Sequence, residues 1–182
     1  MSKHRNDIYG DLNKDRTDAD EHPPAIPAAT VLLLREQNAL MEVLMLHKNS
    51  QIAFGGMWVF PGGKIDAADY AGGDDDDVAA RNAAARETKE EAGIDIPKDD
   101  FIWFSHWTPP PSNAKRFATW FFVTSTDIDH EITIDGGEIL NHKWINPAIA
   151  LEQHAAGEID LAPPTWVCLY HLSKLVTVSS AL

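Results

Sequence analysis

The chain is poor in cysteine, in positive charge and in long apolar runs, and each shortage removes a class of protein. Cys168 is its only cysteine, so no disulfide can form within the chain and a cysteine-rich zinc site is excluded. Set between Val167 and Leu169, it reads as a small buried hydrophobe. Lys and Arg number 15 against 28 Asp and Glu, a formal charge of −13. Such a chain is ill suited to coat nucleic acid or an anionic membrane. No stretch approaches the roughly 20 apolar residues of a membrane span. The first residues carry no apolar signal core, so a cytoplasmic setting is the expectation. The 8 histidines form no H-x3-H pair, and neither a G-x-S-x-G elbow nor a Walker lysine loop occurs.

What is present suffices for one domain with a tail. The 182 residues are 44% hydrophobic, enough to bury a core without disulfides or structural metal. Residues 1–27 mix charges of both signs and end in a proline-rich stretch, so they are expected to form a flexible arm. Ala28–Leu34 and Leu40–His47 read as strands joined by a turn at Gln37-Asn38, a hairpin. A third extended piece, Phe54–Phe60, is interrupted by glycines and expected to stop at Pro61-Gly62-Gly63. Val78–Ala92 is an alanine-rich helix with Asp77 as N-cap and Gly93 beyond its last turn. Phe101–Trp107 and Phe117–Thr124 read as strands around Pro109-Pro110-Pro111. Asn146-Pro147 opens another helix, and Pro163-Pro164-Thr165 precedes a last one. Strands and helices alternate enough to predict an α/β or α+β layered domain.

Chemistry concentrates in Arg86-Glu87-Thr88-Lys89-Glu90-Glu91-Ala92-Gly93-Ile94. At about 100° per helical residue, Glu87, Glu90 and Glu91 share one face. Ala83 and Ala80 continue that face with small side chains that allow close approach. Like charges at these spacings cost only about 0.2–0.5 kcal/mol each on a solvated helix. An acidic surface face and a metal site are therefore both open on the helix alone. A hard divalent cation gives three carboxylates a reason to gather. Gly62-Gly63-Lys64 lies between strand and helix, where paired glycines let backbone approach a metal or phosphate.

Gly62-Gly63-Lys64 through Asp69, followed by Arg86 through Ile94, resembles the Nudix box, G-x5-E-x7-R-E-U-x-E-E-x-G-U with U a bulky aliphatic residue. The box runs over 63–94. Three departures mark it. Asp69 takes the place of the first glutamate. Sixteen residues, 70–85, fill the spacer where the family has seven, so an insertion at about 70–77 is expected to loop out before the helix. Thr88 stands at the aliphatic position. Outside the box, Phe60–Gly63, Trp107–Pro109, Arg116–Phe122, Gly137-Glu138 and Pro163–Thr165 resemble the coenzyme A-cleaving Nudix subgroup of animal peroxisomes. Its bacterial signature differs at His47-Lys48-Asn49-Ser50.

The resemblance implies an α/β/α sandwich around a mixed sheet, spanning 28–182, and hydrolysis of a nucleoside diphosphate linked to another moiety. It implies Mg²⁺ or Mn²⁺ as cofactor, with Glu87 and Glu91 as metal ligands. Glu90 is a ligand or the base that deprotonates water, and a carbonyl of Gly62 or Gly63 completes a metal shell. Arg86 orients a box glutamate. Glu138 is an extra ligand or base, or else a solvated turn residue. Arg116, Trp58 and Lys64 are the candidates for binding substrate, although Trp58 also suits the core and Arg116 a solvated edge. The implied partner is a small nucleoside diphosphate derivative. Coenzyme A or an acyl-CoA is favoured; ADP-ribose, dinucleotides, nucleotide sugars and a non-catalytic nucleotide-binding role remain open. Nucleic acid and membrane partners are not expected, and the family allows a homodimer.

Overall fold

Val31 and Leu33 point to one side of a strand and Leu32 and Leu34 to the other, and all four are fully buried. A strand buried on both faces must lie between two layers. In the computed structural model, which describes residues 24–51, 53–71, 73, 75–110, 115–126 and 131–182, this strand is β1, Ile26–Gln37. It begins inside the stretch expected to be tail, and residues 1–23 of that stretch lie outside the described residues.

A seven-stranded mixed sheet forms around β1. β2 (Leu40–Lys48) pairs antiparallel with the C-terminal part of β1. Their two-residue turn is Asn38-Ala39, one residue later than the expected Gln37-Asn38 because Gln37 still pairs with Leu40, and both turn residues have positive φ (52° and 59°), the geometry that matches the twist of a hairpin. β3 is short, Trp58–Val59, and pairs with β2. The segment does not end at the glycine pair. Gly62–Lys64 forms a further strand, β4, antiparallel to Ala28–Thr30 of β1.

A 3-10 turn, Ala67–Tyr70, leads toward helix α1, Asp76–Ala92. Asp75, not Asp77, caps α1 by accepting from the Asp77 and Val78 N–H groups. Gly93 ends it at φ 73°. The expected loop-out is thus only partly realised: residues 76 and 77 are helical, while Asp74 and Gly72 lie outside the described residues. β5 (Ile102–Trp107) and β6 (Phe117–Ser125) pair antiparallel, and β6 runs parallel to β1 over nine residue pairs. Pro111, in the loop between them, lies outside the described residues. β7, Ile139–Ile145, pairs with β2. The sequence pattern did not announce it. Helix α2 (Pro147–Ala155) starts at the Asn146 cap, and α3 spans Pro163–Leu172.

The two cores follow from strand parity. Ala29, Val31, Leu33, Leu44, Leu46 and Phe122 pack with Ala80, Ala83 and Ala84 of α1. Leu32, Leu34, Val43, Met45 and Phe121 pack with Cys168, Leu169 and Leu172 of α3. Each fully buried Leu or Phe contributes about 1.5–3 kcal/mol. Helices cover both faces of a mixed sheet, giving the expected sandwich. Ala80 and Ala83 admit the sheet itself, so their face of α1 is closed to a ligand at that level. The Cys168 thiol is buried, which pushes its pKa up to about 12. Among the described residues, no helix is long and apolar enough to cross a membrane.

Candidate functional site

Where α1 outruns the alanines, its face carries Glu87 and Glu91 toward β4. The approach is close: a methyl group at Gly63 would collide with the Glu87 carboxyl group. This is why glycine suits the strand here. The Gly62 N–H donates to Glu91 Oε2 at 2.9 Å. An open cavity of about 680 Å³ adjoins these groups, lined by Gly62, Gly63, Lys64, Arg86, Glu87, Glu90 and Glu91. Its volume falls in the range of small-molecule sites.

Arg86 is the hub. Its Nη2 and Nε reach Asp69 Oδ2 and Oδ1 at 2.9 and 3.2 Å, a two-pronged pair. Its Nη1 donates to Glu87 Oε1 at 2.8 Å and to Glu90 Oε2 at 3.1 Å. Nη2 also donates to the Lys64 carbonyl at 3.1 Å. Burial alone would raise the Asp69 carboxyl, but hydrogen bonds from Arg86 and the Asp66 N–H, with the Arg86 charge, hold it below its ordinary value. The hydrogen bond to Asp69 in turn raises the guanidinium. Asp69 therefore orients the arginine despite its shorter side chain and the long spacer. Thr88, at the aliphatic position, is buried and satisfies its hydroxyl by donating to the Ala84 carbonyl at 2.7 Å.

The carboxylates differ in setting. The side chains of Glu91, Glu87 and Glu90 are 6%, 16% and 59% exposed. Burial raises Glu87, with Arg86 opposing, and pushes Glu91 up to about 7, against the charge of Lys48 and the hydrogen bond from the Gly62 N–H. Lys48 Nζ lies 3.1 Å from Glu91 Oε1 and 3.9 Å from Glu138 Oε2. Glu138 lines the same cavity. Asp135 fixes its loop by accepting from the N–H groups of Glu138 and Ile139, both at 2.9 Å. Asn49 clamps that loop from the other side, its N–H donating to the Glu138 carbonyl at 2.8 Å.

Among the described residues, no three His, Cys, Asp or Glu side chains are drawn into a metal cage as they stand. Glu87 and Glu90 are turned onto Arg86, and Glu91 onto Lys48. The donor set nonetheless fits a hard divalent ion: three carboxylates of one helical face beside exposed backbone. Glu91 Oε1 supports the fit, being a buried carboxylate oxygen that already faces a cation, the Lys48 ammonium at 3.1 Å.

The structure brings Glu87, Glu90, Glu91, Arg86, Gly62, Gly63, Lys64 and Glu138 to one cavity. It does not bring Trp58 or Arg116 to its lining. Trp58 is stacked on His47, ring centres 5.0 Å apart, with Lys143 Nζ 4.2 Å from its ring centre. Arg116 turns toward the Pro109 carbonyl, 3.4 Å away, and neighbouring Lys115 lines the cavity instead. Sequence reasoning also passed over Lys48, Phe54 and Phe117. The two phenylalanine rings sit 5.7 Å apart in the cavity wall. Strand parity held a signal for Lys48, which follows Leu44 and Leu46 on the face toward α1.

The model of the NUDIX domain matches residues 24–164, and the chain belongs to the Nudix family. A curated Caenorhabditis elegans relative, "Putative nudix hydrolase 7", is 26% identical over 172 residues. That match covers 75% of this chain and 56% of the relative, so the chain spans about half of the curated protein it matches. Among solved structures, a NUDIX hydrolase from Alicyclobacillus acidocaldarius superposes with a TM-score of 0.78 at 23% identity, covering 88% of this chain and 96% of that one. The NUDIX domain of Shewanella oneidensis NrtR, complexed with ADP ribose, gives 0.62 at 16% identity, covering 93% and 96%. A C. elegans Ap4A hydrolase binary complex gives 0.60 at 20%, covering 82% and 96%. At these identities the structural matches establish the fold.

Proposed function

We propose that this chain hydrolyses the pyrophosphate bond of a nucleoside diphosphate linked to a second moiety, and that coenzyme A or an acyl-CoA is its favoured substrate. The observation that carries the reading is the meeting of Glu87, Glu90 and Glu91 with β4 at one cavity. Members of this family generally use divalent metals. Here Glu87, Glu90 and Glu91, with a carbonyl of Gly62 or Gly63, would hold Mg²⁺ or Mn²⁺. The ion supplies polarisation of the phosphoryl oxygens and a lowered pKa for the attacking water.

The chain's own residues do the rest. Arg86 keeps Glu87 and Glu90 on one side of the cavity. Glu90, the most exposed of the three, accepts the proton of the attacking water at its carboxylate. Glu138, held by Asp135, faces the same space as a further ligand or base. Lys64 and Lys115 meet substrate phosphates, and Phe54 and Phe117 offer ring faces to a base. The preference for coenzyme A rests on the motifs outside the box.

A second reading, ADP-ribose or a dinucleotide as substrate, draws on the structural neighbours described as an ADP ribose complex and as an Ap4A hydrolase. Nucleotide sugars belong to the same class. Incubating the full chain with Mg²⁺ and a panel of these compounds separates them. Release of 3′,5′-ADP from coenzyme A supports the first reading, and release of AMP from ADP-ribose the second. Binding of nucleotides without turnover of any of them would make the protein a non-catalytic nucleotide-binding module and overturn both.

A further inference from the structure

Lys48 ends β2 on the face that looks toward α1, and its side chain is only 13% exposed. Both its backbone groups are tied down: its N–H donates to the Met57 carbonyl at 3.0 Å, and its carbonyl accepts from the Gly56 N–H at 2.9 Å. The ammonium therefore has a fixed root and moves only through its own side-chain torsions. It stands between Glu91 at 3.1 Å and Glu138 at 3.9 Å, two carboxylates from distant parts of the chain that face one cavity. The contact to Glu91 Oε1 is a close pairing of opposite charges in a part-buried setting.

We propose that Lys48 is a built-in counter-cation of the carboxylate site, which holds Glu91 and Glu138 in the metal-free protein and must be displaced from them when a divalent ion binds. The inference rests on the metal-site reading given above. A divalent ion taking Glu91 Oε1 would occupy the place of the ammonium and repel it in a partly buried setting. The ion pair therefore opens on loading, and the ammonium turns into the cavity. Lys48 is a positioning residue: it sets how tightly the site takes its ion and keeps the buried Glu91 carboxylate compensated until then, with the exposed Glu138 as a weaker second partner.

The test is Mn²⁺ binding to the full chain without substrate, read by the paramagnetic resonance of free Mn²⁺. Lys48→Met keeps the apolar stem and removes the charge. At a pH high enough to ionise Glu91 in every variant, it is expected to bind Mn²⁺ roughly tenfold more tightly than wild type, while Lys48→Arg binds like wild type. Equal or weaker binding by a folded Lys48→Met protein overturns the inference and leaves the metal site standing. Absence of Mn²⁺ binding in wild type and variants alike removes the metal site and the inference together. Should Lys48→Met not fold, amine labelling of wild type read at the Lys48 peptide decides. Greater reactivity with Mn²⁺ present supports displacement, and unchanged or reduced reactivity overturns it.

Discussion

Arg86 and Asp69 are joined by two hydrogen bonds, 2.9 and 3.2 Å, across 17 positions of sequence. The same guanidinium reaches Glu87 and Glu90. The placement of the acidic face thus depends on a buried aspartate outside the helix. Asp69→Asn removes the charge and leaves the shape. It should lower stability at neutral pH by about 2–3 kcal/mol and reduce turnover, because Arg86 is no longer held.

The pH dependence of that loss has a definite sign. Asp69 is held below its ordinary value of 3.8. Its contribution is fully present above that value and fades as pH falls through the lowered one. Urea unfolding of wild type and Asp69→Asn at pH 7 and near pH 3 should show the gap narrowing in acid. A constant gap would contradict the ion pair as its source.

Gly63→Ala places a methyl against the Glu87 carboxyl group. That carboxyl is the far end of a flexible side chain, so it can swing away at small cost to the fold. The expected result is a thermal midpoint near wild type with weakened Mn²⁺ binding and weakened turnover. Unchanged metal binding would mean that Glu87 is not a ligand.

Ala39 sits at φ 59° in the β1–β2 turn, a conformation costing about 1–2 kcal/mol for a residue with a Cβ. Ala39→Gly should relieve it and raise stability by roughly 0.5–1 kcal/mol, with activity unchanged. Thermal unfolding checks this directly.

The hairpin, α1 and the two later helices were legible because periodicity, caps and proline placement agree there. The start of α1 was not, since Asp75, Asp76 and Asp77 are equally good caps. Tertiary contacts choose among them: Tyr70 Oη donates to Asp76 at 3.0 Å, and Arg81 Nε pairs with Asp77 at 2.7 Å. β7 escaped because Asn141, His142 and Lys143 break its apolar pattern, which only pairing with β2 restores. The glycine pair read as a stop because strand β4 is justified by the close passage of α1, a long-range fact. The box carboxylates were visible from helical spacing. Lys48 and Glu138 were not visible as partners, being 90 residues apart and joined only by the fold. Trp58 and Arg116 had chemistry suited to a ligand, but Trp58 stacks on His47 and Arg116 turns toward the Pro109 carbonyl.

On the proposed function, Glu91 with Glu87 and Glu90 forms the metal site of a pyrophosphate hydrolase. Glu91→Gln tests it most directly, because the amide keeps the shape and removes a buried charge. With Mg²⁺ and the substrate that wild type turns over, the variant should lose at least about 100-fold in kcat/KM. A cooperative thermal transition of the metal-free variant checks that it is folded, since the lost Lys48 pairing and the removed cost of a buried carboxylate act in opposite directions. Turnover by Glu91→Gln at the wild-type rate would contradict the account.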